Sequence, residues 1–236
     1  MSFNLREAEL VYTSLSKILV VAAHPDDETL GAGGTIAKLS RLGKSVHLCI
    51  VTKPYPPDWS EEIIEIKRKE VQNAAKILKI KEVTFFGFPT AKLDSILIKE
   101  LADKFTELIW KLKPEMLFLP FVGDMSQDHR AVFNALSIAA KPIPSQPIRK
   151  IVSYEAPSST EYSFNRFHYN FTPNLYVDIS KEIKVKLNAL KSYKTELKEF
   201  PHPRSIKGVI TRAKLRGSEV GLKMAEAFLI LRWVVS

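Results

Sequence analysis

His24-Pro25-Asp26-Asp27-Glu28 crowds an imidazole and three carboxylates into one short turn, and Gly123-Asp124-Met125-Ser126-Gln127-Asp128-His129 places a second imidazole beside two more carboxylates. One acidic residue at a helix start needs no special explanation, because it caps backbone N–H groups and favours the helix dipole. Two adjacent Asp residues behind a His-Pro pair add like-charge repulsion, which a bound cation would relieve. Two imidazoles and one carboxylate make a nitrogen and oxygen donor set with a fourth position left open, the arrangement of catalytic rather than structural zinc.

For the two turns to meet, the elements before them must lie side by side. The apolar run KILVVAA at 17–23 ends at His24, and EMLFLPF at 115–121 ends just before the second turn. Short continuous apolar runs suit strands buried on both faces of a parallel sheet. Comparable runs are SVHLCIVT at 45–52, EVTFFGF at 82–88, IRKIVSYE at 148–155 and LYVDI at 175–179. Between them, Ile63, Ile66, Val71, Ala74, Ala75 and Leu78 recur at helical spacing, as do Leu97, Leu101, Phe105, Leu108, Ile109 and Leu112. The alternation predicts an α/β fold, a Rossmann-like doubly wound and mainly parallel sheet, in a single domain over 1–236 with an elaborated C-terminal portion. In that order the first and fourth strands are central neighbours, and ligands bind beyond the carboxyl ends of the strands. Helices are expected over 181–199 and 217–233, joined by the loop FPHPRSIKG.

A chain of 236 residues with 45% hydrophobic content can bury one substantial core. Its one cysteine, Cys49, rules out an intramolecular disulfide and a zinc site of paired thiolates, and points to a reducing, cytoplasmic setting. The start, MSFNLREAEL, has no apolar signal core, and no stretch approaches the roughly 18 apolar residues of a membrane span. Most of the formal net charge of +9 sits in 181–223, where twelve Lys or Arg face four Glu. Solvated helical lysines account for that pattern; no nucleic-acid-binding signature accompanies it, and neither nucleic acid nor membrane is an expected partner. Leu30-Gly31-Ala32-Gly33-Gly34-Thr35 is an incomplete dinucleotide fingerprint, and the neighbouring carboxylates would repel a pyrophosphate. The small residues instead suit a first helix packed close to the sheet.

The Ala23-to-Glu28 run resembles the hallmark of the PIG-L/LmbE-like zinc N-deacetylases. The resemblance extends through Gly31 to Thr35, Gln127-Asp128-His129-Arg130, the Lys-x-x-Ala-Leu segment at 186–190, His202 to Ser205, Arg216-Gly217 and Ala225 to Phe228. It implies zinc held by His24, Asp27 and His129, with Asp26 as general base. It also implies a substrate that is an N-acetylated sugar conjugate, of the N-acetylglucosamine type, and a homo-oligomer, trimeric or hexameric. Two departures stand out: Ser126 occupies a position where many members carry an imidazole that stabilises the oxyanion, and Tyr193 stands where relatives often have His. Ser126, Asp128, Tyr193, His202, Arg204 and Arg68 are therefore the candidates for binding substrate or the oxyanion. Arg68 and Glu70 resemble a family pattern near the substrate but equally suit exposed helical charges. Trp59 could stack on a sugar ring, although packing beside a helix capped by Ser60 is simpler. His47 and His168 suit structural roles.

Overall fold

The computed structural model describes residues 15–164 and 169–235; His168 and MSFNLREAEL lie outside the described residues. Strands β1 (Lys17–Ala22), β2 (Ser45–Lys53), β3 (Glu82–Pro89), β4 (Met116–Pro120), β5 (Lys150–Tyr154), β6 (Leu175–Asp178) and β7 (Ala225–Trp233) form one sheet in the order β3-β2-β1-β4-β5-β7-β6. β1 pairs in parallel with β2 on one side and with β4 on the other, in register Ile18 to Met116 and Val20 to Phe118. The expected doubly wound α/β fold is present, with the first and fourth strands as central neighbours.

Alternation along β1 divides the core. Ile18, Val20 and Ala22 point into a layer shared with Ile36, Val71, Ala189 and Ala213, whereas Leu19 and Val21 point into another with Phe105, Ile109, Val132 and Leu136. Helices α1 (Asp27–Arg41), α2 (Glu61–Ile77), α5 (Ile183–Leu190) and α6 (Ile206–Ser218) cover the first face; α3 (Ile98–Leu112) and α4 (Gln127–Ala139) cover the second. Ser60 caps α2 by accepting from the Ile63 N–H. Both faces of the central strands are thus buried, as their continuous apolar runs require.

The C-terminal portion departs from expectation. Residues 225–233 form β7, an antiparallel strand between β5 and β6, where a helix over 217–233 was expected. Phe228-Leu229-Ile230-Leu231 is a continuous apolar run after Gly221, and its pairing with β5, together with that of Ala225 to Phe228 with β6, outweighs any helical reading of its spacing. The loop expected at 200–208 ends early, because Ser205 caps α6 by accepting from the Gly208 N–H. The helix expected over 181–199 stops at Leu190. Beyond it the Thr195 N–H and hydroxyl donate to the Glu70 carboxylate on α2, at 2.9 and 2.7 Å. Glu70 is therefore a buried tie between elements.

The small residues of α1 face crowded surroundings. A Cβ on Gly31 would lie 2.3 Å from the Tyr154 ring, and one on Gly34 would lie 2.8 Å from Ile179. Two side chains from distant elements then grip the middle of α1. The Glu226 carboxylate accepts from the Gly34 and Thr35 N–H groups at 2.8 and 2.7 Å. Lys186 Nζ donates to the Leu30 carbonyl at 2.7 Å and pairs with Glu226 at 2.6 Å. Removing one partner of a buried pair leaves the other charge uncompensated. Lys186→Met is expected to lower unfolding stability by roughly 3–5 kcal/mol in urea titration; a loss below about 1 kcal/mol would contradict this role.

Candidate metal centre and its cavity

β1 and β4 end side by side, and the turns that follow them face each other. Asp26, at the start of α1, has a left-handed backbone with φ of 103°, and its carbonyl accepts from the Thr29 and Leu30 N–H groups at 3.0 and 2.8 Å. Such a conformation costs a non-glycine residue about 1–3 kcal/mol and persists only where its surroundings enforce it. Here the His24 N–H donates to Asp27 Oδ2 at 2.8 Å, closing the turn.

Three donor atoms converge from the two turns. His129 Nε2 lies 3.3 Å from His24 Nδ1 and 3.2 Å from Asp27 Oδ2, and His24 Nδ1 lies 3.5 Å from the same oxygen. Ligands about 2.0–2.2 Å from a tetrahedral zinc ion stand roughly 3.3–3.6 Å apart. All three edges are close to that spacing, so His24, Asp27 and His129 fit a single ion. The far nitrogen of each ring meets a carboxylate. His24 Nε2 lies 2.7 Å from Asp128, which also accepts from the N–H groups of Ala91 and Leu93, and His129 Nδ1 lies 2.6 Å from Asp124. Carboxylates in that position orient metal-binding imidazoles and raise their basicity.

Burial alone would push both rings toward the neutral form, but the carboxylates override it. Asp128 and Asp27 lift His24 to about 9, and Asp27 and Asp124 lift His129 to about 10. Burial also pushes Asp27 up, yet the two rings hold it well below the usual carboxylate range. Asp26 behaves oppositely: burial, then repulsion from Asp27, raises it well above that range against the pull of Arg204.

A cavity of about 590 Å³ opens onto His24 and Asp26. Its wall includes Trp59, Lys67, Thr195, Glu196 and Arg204. Arg204 Nη1 lies 3.3 Å from Asp26 Oδ2 and 3.3 Å from Glu196 Oε2, and its Nε donates to Ser158 at 2.8 Å. Trp59 makes an edge contact with Tyr55 and leaves part of its ring on the cavity.

The remaining candidates lie elsewhere. Tyr193 is fully buried and its hydroxyl donates to Glu28 at 2.6 Å, so it does not face the cavity. Asp128 has both oxygens engaged beneath His24 and lies off the lining. Ser126 caps α4, its hydroxyl accepting from the His129 N–H at 3.4 Å. His202 accepts from the Arg204 N–H at 3.1 Å and packs edge-on to Tyr162, outside the lining. Arg68 lies over Phe85 and lines a neighbouring groove. His47 sits within β2 beside Ser45 and Glu82, in keeping with a structural role. Asp124, Lys67 and Glu196 were not among the residues expected to act at the site. Asp124 carried a signal, an acidic residue in the same turn as His129; Lys67 and Glu196 carried none, because only the fold brings them to the cavity.

Residues 19–140 match the model of the PIG-L family, GlcNAc-PI de-N-acetylase. The chain is 25% identical to a diacetylchitobiose deacetylase of Thermococcus kodakarensis, over 80% of this chain and 73% of that one. It is 28% identical to a probable N-acetyl-alpha-D-glucosaminyl L-malate deacetylase 2 of Bacillus cereus, over 76% of this chain and 83% of that one. Among solved structures, a conserved protein from Thermus thermophilus superposes with a TM-score of 0.76 at 25% identity, covering 94% of this chain and 97% of that one. The 4-carboxy-2-hydroxymuconate hydratase of Pseudomonas putida gives 0.73 at 18% identity, over 94% and 98%, a likeness of fold alone.

The purified chain is expected to bind one divalent ion, and His129→Ala to abolish that binding. Asp124→Asn should weaken it about 10- to 100-fold. Because protons occupy the imidazoles below their raised pKa values, affinity should rise with pH between about 6 and 9. Metal titration at several pH values checks this; an affinity indifferent to pH and to Asp124 would contradict the assignment.

Proposed function

The chain belongs to the PIG-L family, and from that premise we propose that it is a zinc-dependent hydrolase that removes acetyl from the nitrogen of an amino sugar of the N-acetylglucosamine type. The observation that carries this reading is the convergence of His24 Nδ1, Asp27 Oδ2 and His129 Nε2 beside a cavity whose lining includes His24 and Asp26. Similarity to the diacetylchitobiose deacetylase of Thermococcus and to the probable N-acetyl-alpha-D-glucosaminyl L-malate deacetylase of Bacillus supports the substrate class. Two nitrogens and one oxygen suit zinc better than magnesium or calcium, which favour all-oxygen shells.

Zinc held there would supply a Lewis acid that polarises the amide carbonyl and lowers the pKa of water toward about 7. Asp26 takes the proton of the attacking water. Burial has already raised its proton affinity, so the same carboxyl can pass that proton to the departing amine as the C–N bond breaks. Arg204, held beside Asp26, carries a permanent positive charge and donates to the developing oxyanion in place of the imidazole absent at Ser126. Acetate and a free amine are the products.

Ser126 favours a second reading, a metal-binding chain with little turnover, because its hydroxyl caps a helix where an oxyanion donor would be needed. The test is acetate release from N-acetylglucosamine conjugates by the zinc-loaded chain. Asp26→Asn is expected to abolish release while keeping the metal, and Arg204→Met to slow it roughly 100- to 1000-fold. Release by the Asn variant at the native rate would remove Asp26 as the base. No release by the native chain, with activity gained in Ser126→His, would favour the second reading.

A further inference from the structure

Two cations stand in the cavity wall beside the proposed metal centre, and both are engaged by carboxylates of the same cavity. Lys67 Nζ is bonded to Glu196 Oε1 and lies 3.3 Å from Thr195 Oγ1. Arg204 Nη1 is shared between Glu196 Oε2 and Asp26 Oδ2. Glu196 thus bridges the two, one oxygen to each. Lys67 is only 8% exposed, so its ammonium has little water to fall back on. Besides His24 and Asp26, the remaining residues that line the cavity, Pro25, Pro54, Trp59, Ile63, Thr90 and Thr195, carry no formal charge.

This arrangement discriminates by charge. A phosphate or carboxylate that draws Lys67 away from Glu196 strands a partly buried carboxylate without its partner, and that penalty offsets the new ion pair. An uncharged glycan lays a ring face against Trp59 and leaves the pairs of Glu196 with Lys67 and Arg204 in place, at no such penalty. The basic surface of the protein draws anions from a distance, but that attraction is screened over about 8 Å at physiological salt and governs encounter more than docking.

We infer that the group attached to the N-acetylated sugar is uncharged, and that Glu196 sets this preference by holding Lys67 and Arg204 in pairs. The acetyl end of the ligand rests on the N-deacetylase reading, whereas the charge preference follows from the wall.

The test titrates the full chain by calorimetry with two ligands of one ring and different charge, methyl N-acetyl-α-glucosaminide and N-acetyl-α-glucosamine 1-phosphate. Titrations are run zinc-loaded and again metal-free, where turnover and direct contact between phosphate and zinc are absent, and acetate release is followed separately. The methyl glycoside is expected to bind at least about 10-fold tighter. Glu196→Gln should narrow or invert that ratio, and Lys67→Met added to it should move the ratio back. If Glu196→Gln does not fold, the native ratio decides. Equal or tighter binding of the phosphate by the metal-free native chain, a ratio unmoved in a folded Glu196→Gln, or binding of neither ligand would overturn the inference. A neutral preference without acetate release would instead contradict the deacetylase reading and leave the charge preference standing.

Discussion

Asp26, Asp27, Glu28, Asp124 and Asp128 are all buried around His24 and His129, and so much negative charge out of water must be compensated locally. The compensation is specific. Asp128 and Asp124 each take the outer nitrogen of one ring, Asp26 faces Arg204, and Glu28 accepts from Thr29 and Tyr193. Asp27 is left facing the inner nitrogens of both rings at 3.2 and 3.5 Å, where a divalent cation would complete the balance. The fold serves this arrangement directly. Parallel pairing of β1 with β4 brings the two turns together, and the Lys186–Glu226 pair fixes the helix that begins at Asp27.

Function rests on the site rather than on the architecture. A hydratase shares this fold at a TM-score of 0.73, so the sheet by itself does not choose between hydrolysis and hydration. Within the site, Asp26 differs sharply from its neighbour. Asp27 is held ionised by two rings, whereas Asp26, one residue away, is pushed toward the protonated form by burial and by Asp27 itself. Adjacent carboxylates driven apart in this way divide the labour: one suits holding a cation and the other suits moving a proton.

Much of this was legible in the sequence because it depends on local pattern. Short apolar runs alternating with amphipathic helices predict the parallel sheet, and the two His-containing turns follow neighbouring strands. The C-terminal portion was less legible. Residues 225–233 form a strand because β6 flanks Ala225 to Phe228 and β5 flanks Phe228 to Trp233, and no local spacing specifies that pairing. Side-chain direction was hidden too. Tyr193 and Asp128 have the right chemistry for a binding site but point into the interior, and Glu196 and Lys67 reach the cavity from separate elements. The family segments around Lys186 and Glu226 acquire a physical meaning only in three dimensions, as one buried pair gripping α1.

X-ray absorption at the zinc edge of the metal-loaded chain reads directly whether His24, Asp27 and His129 share one ion. A four-coordinate ion is expected, with two imidazole nitrogens at about 2.0–2.1 Å, oxygen in the remaining positions and no sulfur shell. A six-oxygen shell, a sulfur ligand from Cys49, or a single imidazole would contradict it.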